Sequence, residues 1–181
     1  MIRRFNFFTP MKRQFYKIAG ILILFGSYGN FAQAQYNIYK LHSLFMYNFT
    51  KHIQWTEVGD SFTIGVFGST SAMQEVKANF SGKKYSGKEI RVINVAGIGD
   101  ANASQLVYVP KSNKSKILNL FEDVEKNNTL FVSEDDLIEY GIPISFVMKG
   151  SKLGFKVSRK NLEVSGLKIS SSLLSLAEVV D

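Results

Sequence analysis

Few residues in this chain could make or break bonds. There are two histidines, His42 and His52, and no cysteine. On one helix, ten residues would set the two imidazoles roughly 15 Å and about 80° apart, so they cannot share one metal ion. Thiol catalysis and cysteine-based metal sites are excluded outright. For both histidines the favoured reading is a polar residue flanking a core face. "SEDD" (133–136) offers three carboxylates after a strand. Ser133 with Asp136 is a capping-box pattern, and acids in a first turn suit the helix dipole, so capping is favoured over a cation site. "GVFGSTS" (65–71) could present backbone N–H groups to an anion, yet it lacks both phosphate-loop patterns. "SSS" (170–172) lacks the G-x-S-x-G frame of a nucleophile elbow. No catalytic residue, metal site or cofactor is therefore assigned, and a non-enzymatic protein is expected.

The densest chemistry is "YNFTKHIQWTE" (47–57), which holds His52 and the single tryptophan. Phe49 and Ile53 continue an apolar helical face, and Trp55 is expected to fold back over the turn that follows. Tyr47 and Lys51, four apart, lie together on the outer side. An exposed aromatic beside a basic residue suits a partner interface. Tyr47, Lys51 and Trp55 are the candidate partner contacts, with a core role ranked first for Trp55.

The elements that must carry these residues follow from periodicity. "NIYKLHSLFMYNFTKHI" (37–53) spaces Ile38, Leu41, Leu44, Phe45, Phe49 and Ile53 as a helix with one apolar face. Lys40, Ser43, Tyr47, Thr50 and Lys51 fall mainly on the other side. Strands are expected at 62–68, 88–96, 104–110 and 129–133, with a hairpin over 142–158 turning at Lys149-Gly150. Helices are expected after Ser69, over "SNKSKILNLFEDVEKN", briefly before Gly141, and across Leu173–Val180, where Leu173, Leu174, Leu176, Ala177 and Val180 recur at helical spacing. Alternating strands and helices give an α/β fold, a single Rossmann-like domain whose mixed sheet carries helices on both faces.

The first 34 residues stand apart. Five basic residues precede or flank the apolar run Ile18–Phe25, and "FAQAQ" supplies the small-x-small site of a signal peptidase. A cleaved secretory signal ending at Ala34 is expected, beginning at Met1 or Met11. The apolar run is about half the length of a membrane span. Export to the periplasm follows, with secretion as the alternative, and the cleaved chain would not span a membrane. The chain's formal charge of +7 drops to +2 once those five cations leave. Only "GKKYSGKEIR" (82–91) and "KSNKSK" (111–116) are locally basic, so a nucleic-acid partner is not expected. The remaining 147 residues suffice for one domain with its own core.

The two ends together resemble the YfiR/HmsC-like periplasmic family. "LHSLFMYNFTKHIQWTE" resembles its first helix, with Tyr47, Asn48, Phe49, Lys51 and Trp55 matching the motif. "GFKVSRKNLEVSGLKISSSLLSLAEVV" is similar to its closing motif, matched by Gly166, Leu167, Ile169, Ser170, Leu173, Leu174 and Ala177. Many of these residues are expected to hold the fold. The resemblance implies a non-enzymatic regulator that dimerises and represses a membrane-bound diguanylate cyclase through its periplasmic sensor domain, affecting cyclic di-GMP and biofilm. A sensor kinase is the alternative partner. A small-molecule binder using the strand ends near Gly68, Gly97 and Ser133 is a second reading. The best-known members use cysteine pairs. This chain has none, so a disulfide switch cannot operate in it.

Overall fold

The long first helix, α1 (Gly29–His52), runs directly into a two-residue strand, β1 (Ile53–Gln54). A computed structural model describes residues 29–123 and 128–180, with side chains from residue 38. Most of the expected signal, and Val124, lie outside the described residues. The chain divides into two compact units between Asn37 and Ile38, and the following account concerns the second, residues 38–181. Among the described residues no helix is long and apolar enough to cross a membrane.

After β1 come β2 (Ser61–Phe67), α2 (Thr70–Phe80), β3 (Lys84–Tyr85), β4 (Lys88–Val95), α3 (Ile98–Asn102) and β5 (Leu106–Val109). Next are α4 (Lys114–Leu120), β6 (Leu130–Ser133), β7 (Ile144–Lys149) and β8 (Lys152–Ser158). The chain closes through α5 (Arg159–Val164), β9 (Lys168–Ile169), α6 (Ser171–Leu174) and β10 (Glu178–Val180). Eight strands form one sheet in the order β3-β4-β2-β5-β6-β7-β8-β10. The run β4 to β7 is parallel, β3–β4 and β7–β8 are antiparallel hairpins, and β10 lies parallel to β8. The expected mixed α/β sheet is thus observed.

Side chains alternate across it. Phe62, Ile64, Val66, Leu106, Tyr108, Leu130 and Val132 face one core, shared with Met46 and Phe49 of α1 and Val76 and Phe80 of α2. Phe67, Val107, Val109 and Phe131 face the other, under Ala101 and Ile117 of the short helices α3 and α4. Helices therefore cover both faces, which is why the central strands read as nearly continuous apolar runs.

Three expectations need correcting. The buried face of α1 is Tyr39, His42, Ser43, Met46, Phe49 and Thr50, continued by Ile53 of β1, whereas Leu41 and Leu44 remain 44% and 43% exposed. Ser43 and Thr50 can be buried because their hydroxyls donate back to the carbonyls of Lys40 and Tyr47. The helix expected over 173–180 stops at Leu174, and residues 178–180 instead form an edge strand that adds to β8. Ser133 caps nothing: its hydroxyl donates to the Asp135 carbonyl and lies 2.8 Å from Ser145 Oγ. The short helix after the acid run is a single 3-10 turn, Ile138–Tyr140.

Candidate functional site

The first and last motifs meet. Ile53 and Gln54 pair antiparallel with Ile169 and Lys168, and Ser170 N–H donates to the His52 carbonyl at 2.9 Å. The local chemistry makes this seam. Gly166, in the left-handed region at φ 67, ends α5. Its N–H donates to Glu163 O and that of Leu167 to Leu162 O, a Schellman closure with buried Leu162 and Leu167 as its apolar pair. Ser170 then caps α6, accepting from Leu173 N–H. Its Oγ lies 3.2 Å from His52 Nδ1, with Ser172 Oγ 3.4 Å away. Leu173 is buried, while Leu174 and Ala177 pack at the core's margin. Of the first-motif residues, Phe49 is fully buried against Phe146 and Phe155, and Asn48 is exposed.

Trp55 sits just beyond the seam, 8% exposed. Its indole N–H donates to the Gln105 carbonyl at 2.8 Å, and its ring meets Phe62 and Tyr85 edge-on. The indole is therefore behind the surface rather than on it, and Tyr85 is the ring in front. Tyr85 arrives on the β3–β4 hairpin, whose two-residue turn has Ser86 at φ 46 and Gly87 at φ 84. Positive φ at both turn residues matches the twist of a tight hairpin.

Tyr47 and Lys51 stay on the outer side of α1. Tyr47 rests edge-on against Phe80 at 5.9 Å, with Lys51 Nζ 4.1 Å and Lys83 Nζ 3.9 Å from its ring centroid. Lys83 donates to Asn79 Oδ1, and its pKa is lowered, first by burial and then by the Lys51 charge. Tyr47 and Lys51 border a concavity of about 380 Å³ with Gln54, Lys84, Tyr85 and Ser86, while Lys83 reaches the Tyr47 ring without lining it. The sequence reading found Tyr47 and Lys51. It missed Lys83, Lys84 and Tyr85, although the locally basic stretch 82–91 was its clue.

A second cavity, about 440 Å³, opens at the C-terminal ends of β5 and β6. His42, Phe146 and Leu153 line it on one side, and Lys111, Glu134 and Asp135 on the other. His42 is 1% exposed, stacked on Phe146 at 4.1 Å, its Nδ1 2.7 Å from Tyr108 Oη. Burial pulls its pKa down to about 3, so the imidazole is neutral. Burial also raises the pKa of Tyr108, helped by Glu134, and raises that of Glu134 itself. The acid run is largely matched: Lys111 and Lys114 meet Asp135, and Lys156 meets Asp136. Of the strand ends expected to bind a ligand, only the one at Ser133 borders this cavity, while Gly68 and Gly97 do not. Among the described residues no three His, Asp or Glu side chains are placed to hold a metal.

A family model described as YfiR/HmsC-like matches residues 39–178, from the start of the buried α1 face into β10. The chain belongs to the YfiR/HmsC-like family. That family is one of periplasmic regulators, and the matched span takes in the first-motif residues, the seam and the last-motif residues up to Ala177. No protein of curated function matches the chain. Among solved structures, a conserved domain protein from Vibrio cholerae O1 biovar eltor is similar over 79% of this chain, with 12% identity and a TM-score of 0.57. The chain spans 60% of that protein's length, and the likeness is one of fold. An ABC domain from Streptococcus pneumonia, in complex with L-Trp, aligns with a TM-score of 0.46 at 13% identity, covering 66% of this chain and 55% of its own. That likeness is too loose to bear on fold or ligand.

Proposed function

We propose that this YfiR/HmsC-like protein is an exported repressor, matured by cleavage after Ala34, that binds the periplasmic sensor domain of an inner-membrane signalling protein. In this reading the partner is a diguanylate cyclase, and release raises cyclic di-GMP and promotes biofilm. The observation that carries it is the family match over residues 39–178, which includes both end motifs. The outer face of α1, with Tyr47 and Lys51 beside the seam, is the contact surface. A homodimer is the expected resting state.

The deciding experiment is capture from detergent-solubilised host membranes on the tagged protein, followed by mass spectrometry. Recovery of a membrane protein with a periplasmic sensor domain and a cytoplasmic cyclase is the expected result. A histidine kinase in its place would keep the repressor logic and change the output. Lys51→Glu should weaken capture while leaving the melting temperature nearly unchanged, and Tyr47→Ala should weaken it in a protein that still folds, with some loss of melting temperature from the lost Phe80 contact. Wild-type capture by both variants would remove this helix face from the reading.

The 440 Å³ cavity favours a second reading, a small-molecule binding protein, because open α/β sheets place ligands at the C-terminal strand ends. A ligand that binds only the folded state raises its melting temperature by mass action. A thermal-shift screen showing such a rise, lost on Glu134→Leu, would support it.

A further inference from the structure

Lys51 of α1 and Lys83 and Lys84 at the start of the β3–β4 hairpin gather beside Tyr47 and Tyr85, and among the described residues none of the three forms an ion pair, although Glu89 stands opposite Lys84 on β4. Lys51 and Lys83 both lie about 4 Å from the Tyr47 ring centroid, so their like charges are within about 8 Å of one another and repel. Lys84 borders the same concavity. Every ion pair found among the described residues uses Lys111, Lys114, Lys149 or Lys156, and none uses Lys51, Lys83 or Lys84. What holds the two ammoniums in place is the Tyr47 ring and, for Lys83, the amide oxygen of Asn79. Both are neutral. The pKa of Lys83 is lowered first by burial, and the Lys51 charge adds to the effect.

The shape narrows the anion. About 380 Å³, with tyrosine rings at two borders and the Gln54 amide at a third, has room for one or two side chains. Three lysines are too few to neutralise a nucleic-acid backbone tightly, since such binding grows with the number of phosphates met. A lipid surface would need an apolar rim to enter the bilayer. The hairpin instead borders the concavity with exposed Ser86, next to exposed Gly87. Lysine ammoniums act as flexible point charges without a planar fork, which suits carboxylates approaching at varied angles.

We propose that this cradle docks an acidic segment of the protein partner, seating one or two aspartate or glutamate side chains between Lys51 and Lys84, against Tyr47 and Tyr85, with Lys83 adding its charge from beside the Tyr47 ring. The partner's identity rests on the repressor reading, whereas the cradle rests on its own geometry.

The test titrates the isotope-labelled chain, purified after export by its own leader, with a capped hexaglutamate peptide and follows backbone amide shifts. The largest shifts are expected at Tyr47, Lys51 and residues 83–86, with affinity falling as sodium chloride is raised. The double variant Lys51→Met/Lys83→Met should weaken binding by about tenfold, while Lys152→Met/Lys160→Met, exposed on β8 and at the start of α5, away from β3 in the strand order, should change it less than about twofold. Equal losses in both double variants would reduce the effect to net charge and overturn the proposal. So would shifts that appear only with phosphatidylglycerol vesicles, or shifts confined to other surfaces. Membrane capture separates the two readings. A receptor retained equally by wild type and the Lys51→Met/Lys83→Met variant removes the cradle and leaves the repressor. Peptide binding at the cradle with no receptor captured removes the repressor and leaves an acidic-segment site.

Discussion

The two sides of α1 use the same ingredients to opposite ends. Inward, His42 stacks on Phe146 with its Nδ1 against Tyr108 Oη. Outward, five residues along, Tyr47 is bracketed by Lys51 and Lys83. Each is a basic nitrogen set against aromatic rings. Inside, removal from water costs the charge, and the imidazole stays neutral as one more packed ring with a single polar bond. Outside, water keeps the ammoniums charged, and the rings only position them. Burial alone turns one constellation into core and leaves the other available to a partner.

The comparison predicts a wide spread of stability effects. On the inner side, Phe49→Ala should cost about 3–5 kcal/mol, because a fully buried ring in contact with Phe146 and Phe155 leaves a cavity that the sheet cannot close. Urea denaturation at neutral pH measures it. Tyr108→Phe should cost about 1–3 kcal/mol by leaving His42 Nδ1 without its partner. Acid adds a graded test. The folded pKa of His42 lies near 3 and the unfolded value near 6.5. Above pH 6.5 neither state takes up the proton, and stability is undiminished. Between 6.5 and about 3 only the unfolded chain is protonated, so stability falls by up to about 1.4 kcal/mol per pH unit, levelling off below. Tyr108 and Tyr39 face the imidazole; burial raises the Tyr108 pKa, so its hydroxyl stays uncharged across this window, and Glu134 lies near Tyr108. His42→Gln should flatten the slope relative to wild type. Equal slopes would mean that the imidazole is charged inside the fold. At the seam, Ser170→Ala should cost about 1 kcal/mol through loss of the α6 cap.

How legible this was depended on whether the deciding contact was local. The central strands were readable, since β2, β5 and β6 are buried on both faces and end at glycine, proline or serine. Lys149-Gly150 marked its hairpin correctly. The face of α1 was not readable, because Leu41 and Leu44 compete with His42, Ser43 and Thr50 on any hydrophobicity count. What settles it is Tyr108, 66 residues away, together with hydroxyls satisfied by the helix's own carbonyls. The tail failed for a similar reason: residues 178–180 have helical spacing, but β8 offers an open edge that pairs with them. The capping pattern at Ser133 was overruled by Ser145, its neighbour on the adjacent strand. Half of the outer site was visible as the i, i+4 pair Tyr47 and Lys51. The other half comes from the hairpin, and Ser86-Gly87 between Lys84-Tyr85 and Lys88-Glu89 was a turn signal that went unread.

The smallest expected effect is the most decisive for the comparison. Lys51→Met/Lys83→Met should leave stability within about 1 kcal/mol of wild type, because the variant removes a repulsion and no ion pair, against the loss of the Lys83–Asn79 hydrogen bond. Exposed cation–ring contacts are each worth about 0.5–1 kcal/mol, and the methionines retain contact with the Tyr47 ring. Partner binding, by contrast, should fall sharply in the same protein. Loss of binding without loss of stability is what separates a surface kept for recognition from one kept for folding. A destabilisation well above 1 kcal/mol would mean that the ammoniums brace α1 against the hairpin, as His42 braces it against the sheet. The outer constellation would then be a second piece of core chemistry that happens to face water.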